Sequence, residues 1–282
     1  MKIVTDSLDE RDLKAIEPDT KVGLLASLNA EGLPHITLIT TLMAKSPVRL
    51  VWGQFCEGLS KTNVQKNPKT GFLVMTMDRS LWRGTAVWTG LAREGEDYAM
   101  FNNRPMFRYN AYTGIHTVHY MDLVRTWGRE SLPLGKIAAS TLLSALAGKM
   151  AGGGGPRVLN AWTAGLLNRL DTLKFAAYVG QGGYPCIVPV FSCRTPDGAR
   201  LVFSPLAYAE ELFEIKPGQS VAVYVMSLQM ESVLMRGVFR GFGRYCGVTL
   251  GTLDIDWVYN SMPPVPGQIY PEVDLKPVED FS

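Results

Sequence analysis

Two stretches of this chain repeat one another in order. Gly32-Leu33-Pro34 returns as Gly183-Tyr184-Pro185, Arg49-Leu50-Val51-Trp52 as Arg200-Leu201-Val202-Phe203, and Val74-Met75-Thr76-Met77 as Val225-Met226-Ser227-Leu228, all at one offset. Pro68 returns as Pro217, and Arg83-Gly84 as Arg236-Gly237, after small insertions. Ordered matches of this kind mark one duplication, not the many short repeats of a solenoid. Within the first copy, Val22 to Leu28, His35 to Met43 and Val48 to Gly53 are short runs rich in β-formers, separated by turns such as Asn29-Ala30-Glu31-Gly32. They predict a meander of antiparallel strands, the material of a small barrel.

The expected organisation is therefore mainly β with a helical bridge, an α+β chain of two fused units. The units are placed at residues 1–97 and 174–250, with a helical and aromatic bridge at 98–173 and a Pro-rich arm at 251–282. In the bridge, Glu96 to Asn103 and Leu134 to Met150 read as helices, and Gly152 to Gly155 with Pro156 break the chain. A further helix, Val158 to Leu173, is expected to put Leu159, Trp162, Leu166 and Leu170 on one face. The prolines of the tail exclude regular helix and favour an extended arm.

Composition excludes several classes. The hydrophobic share of 46% and charged share of 19% are those of a folded globular chain. A net charge of +2 with no basic run lacks the footprint of a nucleic-acid partner. Cys56, Cys186, Cys193 and Cys246 form no CxxC pair, so neither a zinc site nor a disulfide framework is expected, and a reducing compartment fits. The acidic start, with no apolar core, is not a signal peptide, and there is no apolar run of about 18 residues. The expectation is a cytoplasmic protein with no membrane partner.

The polar run Ser60-Lys61-Thr62-Asn63 sits between β-like segments and offers two hydroxyls, an ammonium and an amide. Such a set grips an anion, because charge-assisted bonds are about twice as strong as neutral ones. Read on the local sequence alone, it is better taken as an ordinary helix start, with Ser60 as N-cap. The second copy has Glu210, Glu211 and Glu214 in this place, and three carboxylates repel a phosphate. His116 and His119, three apart, would share one face of a helix and could hold a metal or haem. No acidic or cysteine ligand stands nearby in sequence, which favours a structural role, and no metal site is expected. Arg108-Tyr109-Asn110 is a polar island among aromatics, a candidate pocket lining, and His35 in its strand is a candidate ligand contact or equally a satisfied strand residue. Cys56 has no base next to it, and Gly152 to Gly155 is not followed by GK[ST].

The order of these features resembles the FMN-binding split β-barrel family, which includes pyridoxamine 5′-phosphate oxidase and its relatives. The residues that carry the resemblance are Gly32, Pro34, Ser60, Lys61, Thr62, Asn63, Asn67, Pro68, Arg83 and Gly84. It covers residues 20–93 well and residues 174–246 in the strands alone. The resemblance implies two split barrels fused as a pseudo-dimer, with pairing of chains into a homodimer left open, and FMN in the groove between barrels. It implies that Ser60, Lys61, Thr62 and Arg83 hold the FMN phosphate, and that backbone groups around Thr40, Thr41, Trp52 and Gly53 face the isoalloxazine. One FMN groove is expected, on the first copy. The oxidase spaces its Ser and Lys two apart, whereas Ser60 and Lys61 are adjacent. The expected activity is that of an oxidoreductase acting on a small-molecule redox substrate or electron donor, with no catalytic acid or base identified. Oxidation of pyridoxamine phosphate itself is not expected, because the tail lacks that enzyme's substrate motif. The alternatives are an FMN or haem carrier without turnover, haem being bound by some relatives, and a cofactor-free scaffold.

Overall fold

A computed structural model describes residues 4–17, 20–105, 114–261 and 267–273. Arg108-Tyr109-Asn110 lies outside the described residues. The first unit opens with α1 (Glu10–Ile16), whose N-cap Asp9 accepts from the Arg11 backbone. It continues with β1 (Lys21–Leu28), β2 (Pro34–Leu38), β3 (Met43–Ser46), β4 (Arg49–Gln54), α2 (Leu59–Lys66), β5 (Lys69–Thr76), β6 (Ser80–Ala92), α3 (Glu96–Asn103) and β7 (Thr117–Ser131). After α4 (Leu134–Ala147) and α5 (Ala161–Asn168) come β8 (Leu173–Val179), β9 (Pro185–Pro189), β10 (Arg200–Phe203), α6 (Ala209–Leu212), β11 (Ser220–Met226), β12 (Ser232–Tyr245), β13 (Val248–Asn260) and β14 (Gly267–Tyr270).

The duplication is visible in the sheets. The first runs β2-β1-β5-β6-β7-β4-β3 and the second β9-β8-β11-β12-β13-β10, with β14 added to β13. Apart from β3 and β14, each strand has a counterpart in the same order, so the chain is two split β-barrels built on one plan. This moves both unit boundaries. β7 lies in the segment read as a bridge, and β13 reaches into the segment read as an arm, yet both pair along their lengths with β6 and β12. In β7 the inward positions are taken by His119, Met121 and Leu123, and a histidine there interrupts the apolar alternation that marks a half-buried strand. The helix expected from Val158 is shorter. α5 is capped by Asn160, whose side chain accepts from the Thr163 backbone at 2.8 Å. Leu159 and Leu166 are buried, whereas Trp162 and Leu170 are exposed.

β1, β5, β8 and β11 are buried on both faces, as continuous apolar runs require. Leu25, Phe72 and Val74 point into the first barrel with Trp52 and Trp82, and Ala176, Val221 and Val223 into the second with Phe203 and Phe239. The alternate residues face outward and meet. Leu24, Leu73 and Met75 pack with Phe175, Ala177, Tyr224 and Met226 in one core shared by the units. The contacts are reciprocal, β2 lying against β11 and β9 against β5. Reciprocity of this kind is what a two-fold arrangement produces. The shared core thus orients each unit's outer face toward the loop and helix of the other.

Candidate functional site

The repeated Arg-Gly pair governs both junctions between the units. Each pair sits at a break in strand register, Arg83 and Gly84 in β6 and Arg236 and Gly237 in β12. A Cβ on Gly84 would stand 2.0 Å from the Arg125 carbonyl oxygen, and one on Gly237 2.0 Å from that of Asp254. Only glycine admits the neighbouring strand so closely, and the irregularity re-aims the arginine beside it. Each guanidinium then lies over a tryptophan of the next strand, Arg83 over Trp127 at 4.8 Å and Arg236 over Trp257 at 4.5 Å. Because outer faces are shared, each arginine points across the interface at the other unit.

At the first junction, the first turn of α2 carries Ser60 and Lys61. The helix is capped by Gly58, so Ser60 is a helical residue and not the N-cap. Its Oγ is fully buried and has no hydrogen-bond partner. Lys61 is buried too, and no described residue bonds or ion-pairs with its ammonium. Burial lowers its pKa, with Cys56 and Glu57 opposing. Asn63 faces inward and donates to the Ser27 hydroxyl at 3.2 Å, whereas Thr62 is exposed on the other side of the helix. His35 of β2 completes the first unit's share. Burial, and then the charges of Arg236 and Lys61, push its pKa down to about 3, so it is a neutral imidazole. Opposite it stand Tyr259 and Trp257 of β13, with ring centroids 5.4 and 6.3 Å from the His35 ring. These two rings are stacked on each other at 5.1 Å, and the Trp257 indole donates to Gln268 of β14 at 2.9 Å.

Of the residues expected to bind one ligand, the structure therefore brings Ser60 and Lys61 together, but Arg83 is not with them. Arg83 is fully buried at the second junction, where its Nε donates to Glu130 at 2.8 Å and Nη2 to Glu130 at 3.1 Å and to Glu211 of α6. Burial acts to lower its pKa, and the two carboxylates reverse this and hold it charged. The first junction receives Arg236 in its place. The Arg-Gly repeat carries that information, but a residue on an outer face serves the partner unit, which one copy read alone does not reveal. Thr41 and Gly53 bond one another, the Thr41 hydroxyl donating to the Gly53 carbonyl at 2.8 Å and accepting from its N–H at 3.0 Å. Trp52 lies in the first barrel's core, stacked on His119 at 3.8 Å, and its backbone is paired with β7. Thr40 is half-buried just before Thr41.

His116 and His119 do not share a helix face, because His119 belongs to a strand. Both His119 ring nitrogens are engaged, Nδ1 accepting from the Trp88 indole at 3.2 Å and Nε2 bonding Gln54 at 2.7 Å. Burial, and then Lys61 and His116, push its pKa down to about 3. Among the described residues no group of three or more His, Cys, Asp or Glu is placed to hold a metal ion, and no helix is long and apolar enough to cross a membrane.

The second junction holds a cavity of about 260 Å³. The first unit contributes Arg83, Arg125 and Trp127, and the second contributes Tyr178, Tyr184 and Cys186, with Glu211 and Glu214 beside them. Cys186 occupies the place that His35 has in the first copy.

No family profile matches the chain, and no curated protein matches it in sequence. Several solved structures are similar to part of it. An FMN-binding protein from Syntrophomonas wolfei is 15% identical over 42% of this chain and 82% of its own, with a TM-score of 0.38. A pyridoxamine 5′-phosphate oxidase-like protein of Lactobacillus delbrueckii is 14% identical over 43% and 94%, with a TM-score of 0.35. The general stress protein 26 of Bacillus anthracis is 13% identical over 41% and 87%, with a TM-score of 0.31.

Proposed function

We propose that this chain is an FMN-binding flavoprotein with an oxidoreductase role, and that it holds the cofactor's phosphate at the first junction. The observation that carries the reading is the buried, unpartnered Ser60 hydroxyl next to the Lys61 ammonium on the first turn of α2. A buried polar group without a partner costs about 1–3 kcal/mol, which an incoming phosphate oxygen would recover. The helix N-terminus adds a positive end, and Lys61 and Arg236 supply two cations from two units. No ion pair joins Arg236 to a described carboxylate, in contrast to Arg83. Trp257 and Tyr259 offer an aromatic face beside this anion site, and they cover His35, so they are the part of the wall that yields to a ring system. His35, kept neutral, packs and does not serve as a charged acid. Bound FMN would supply reversible electron or hydride transfer, while the chain supplies grip, orientation and field.

Titrating FMN while following its fluorescence tests this. The expected result is one FMN per chain, with riboflavin, which lacks the phosphate, bound about tenfold or more weakly. Lys61→Met and Arg236→Met should each weaken FMN binding by a similar factor, while Glu211→Gln at the second junction leaves it unchanged. Wild-type protein that takes up no FMN, or Lys61→Met binding like wild type, would overturn the assignment. Reduction of the bound flavin by a nicotinamide or deazaflavin donor then tests the oxidoreductase role, and a flavin that no donor reduces makes the chain a carrier.

A further inference from the structure

The cavity at the second junction lies where the pseudo-two-fold repeats the first, but its chemistry has been rebuilt. Arg83 lies 4.8 Å from the Trp127 ring and 5.2 Å from the Tyr208 ring, and two of its nitrogens are taken by Glu130 and Glu211. The third nitrogen, Nη1, is buried with no hydrogen-bond partner, although the side chain is only 1% exposed. Arg125, on β7, has a buried Nε that is also unpartnered, and its guanidinium lies 5.3 Å from the same Trp127 ring. Both arginines line the cavity. Native proteins rarely leave buried donors unsatisfied, so two on residues that line one cavity point to an acceptor that enters from outside.

The charges decide which acceptor. Arg83 and Arg125 face Glu211 and Glu214, and Glu130 lies behind Arg83. Two cations against three carboxylates leave no excess positive charge for a phosphate dianion, and burial strengthens the repulsion. A cation, in turn, leaves the arginine donors unmet. A neutral carbonyl-type oxygen satisfies them without adding charge, and the Glu214 carboxylate at the mouth can accept from a donor next to that oxygen. The Tyr178 hydroxyl donates to the Glu211 carbonyl at 2.8 Å and reaches Glu214 Oε2 more weakly at 3.4 Å, which leaves the other Glu214 oxygen for the guest. Trp127 and Tyr184 add flat aromatic walls. About 260 Å³ lies just under the range of about 300–1,000 Å³ usual for ligand pockets, which limits the guest to one or two rings. We propose that the second junction binds a small, neutral, planar molecule of the aromatic amide or lactam class, with its carbonyl oxygen on Arg83 and Arg125. This site is separate from the first junction and does not depend on flavin being bound there.

Three probes of equal ring size and different charge test it by calorimetry on the full chain: isoquinolinone, naphthoate and N-methylisoquinolinium. The lactam should bind saturably at one site, about tenfold or more tighter than either ion, as a bond to a charged donor implies. Arg125→Met should weaken it by a similar factor, and Cys186→Phe, which fills the cavity, should abolish it. Thermal melts report whether each variant folds, and the two substitutions fall in different units, so either one alone carries the test. The proposal is overturned if the wild type fails to bind the lactam, if naphthoate or the cation binds as tightly, or if a folded variant of either kind binds the lactam like wild type.

Discussion

At the scale of single residues, the molecule's ionisable side chains behave oppositely at its two junctions. His35 is buried between Arg236 and Lys61, and its pKa of about 3 stands far below the ordinary 6.5. Above pH 6.5 the folded and unfolded chains both carry it neutral. Between pH 6.5 and 3 only the unfolded chain takes up the proton, so stability falls as pH falls through that window. His119 acts in the same sense with the same limits. At pH 5 each histidine should lower stability by about 2 kcal/mol relative to pH 7.5. His35→Cys, which copies the residue of the second unit, should remove one such contribution, and urea unfolding of both proteins at the two pH values measures it. An unchanged difference between the two pH values would show that His35 is not held neutral. Arg83 presents the reverse case, a cation made permanent by its partners. Arg83→Met removes the buried cation that Glu130 and Glu211 share and should cost about 3–5 kcal/mol in urea unfolding. Adding Glu211→Gln to that variant should recover part of the loss, and equal stabilities of the single and double variants would show that the two side chains are not coupled.

At the scale of elements, α2 and α6 began as one helix and now do different work. α2 keeps eight residues and an anion-suited first turn, whereas α6 is four residues whose Glu211 crosses to Arg83. That divergence was legible in the sequence, since SKTN against AEEL states it directly. The strands of each repeat were legible for the same reason, as alternation and turn residues are local signals. Two things were not. β7 and β13 were obscured because inward places held by His119 and Gly251 break the apolar pattern on which strand recognition depends. The destination of Arg83 was hidden because it depends on which faces meet, and that is settled by Leu24, Leu73, Phe175 and Tyr224 far away in sequence. The Thr41–Gly53 pair illustrates the same limit, since polar residues expected at a ligand satisfy each other instead.

At the scale of the whole molecule, the shared core joins the two barrels through side chains of both. Phe175 is fully buried there among first-unit side chains, and Phe175→Ala should cost about 3–5 kcal/mol. If the units unfold together, that loss appears in a single calorimetric transition, whereas two separate transitions would show that the barrels melt independently. The same core has a consequence for synthesis. β7 leaves the ribosome with the outward faces of β1 and β5 still bare, and their cover is complete only when β13 emerges about 130 residues later, a delay on the order of ten seconds at ordinary elongation rates. During that interval Leu24, Leu73 and Met75 form a sticky surface that a neighbouring nascent chain could cover instead. The duplication that secures two unlike junctions in the finished protein also exposes each new copy, while it is being made, to pairing with the wrong half.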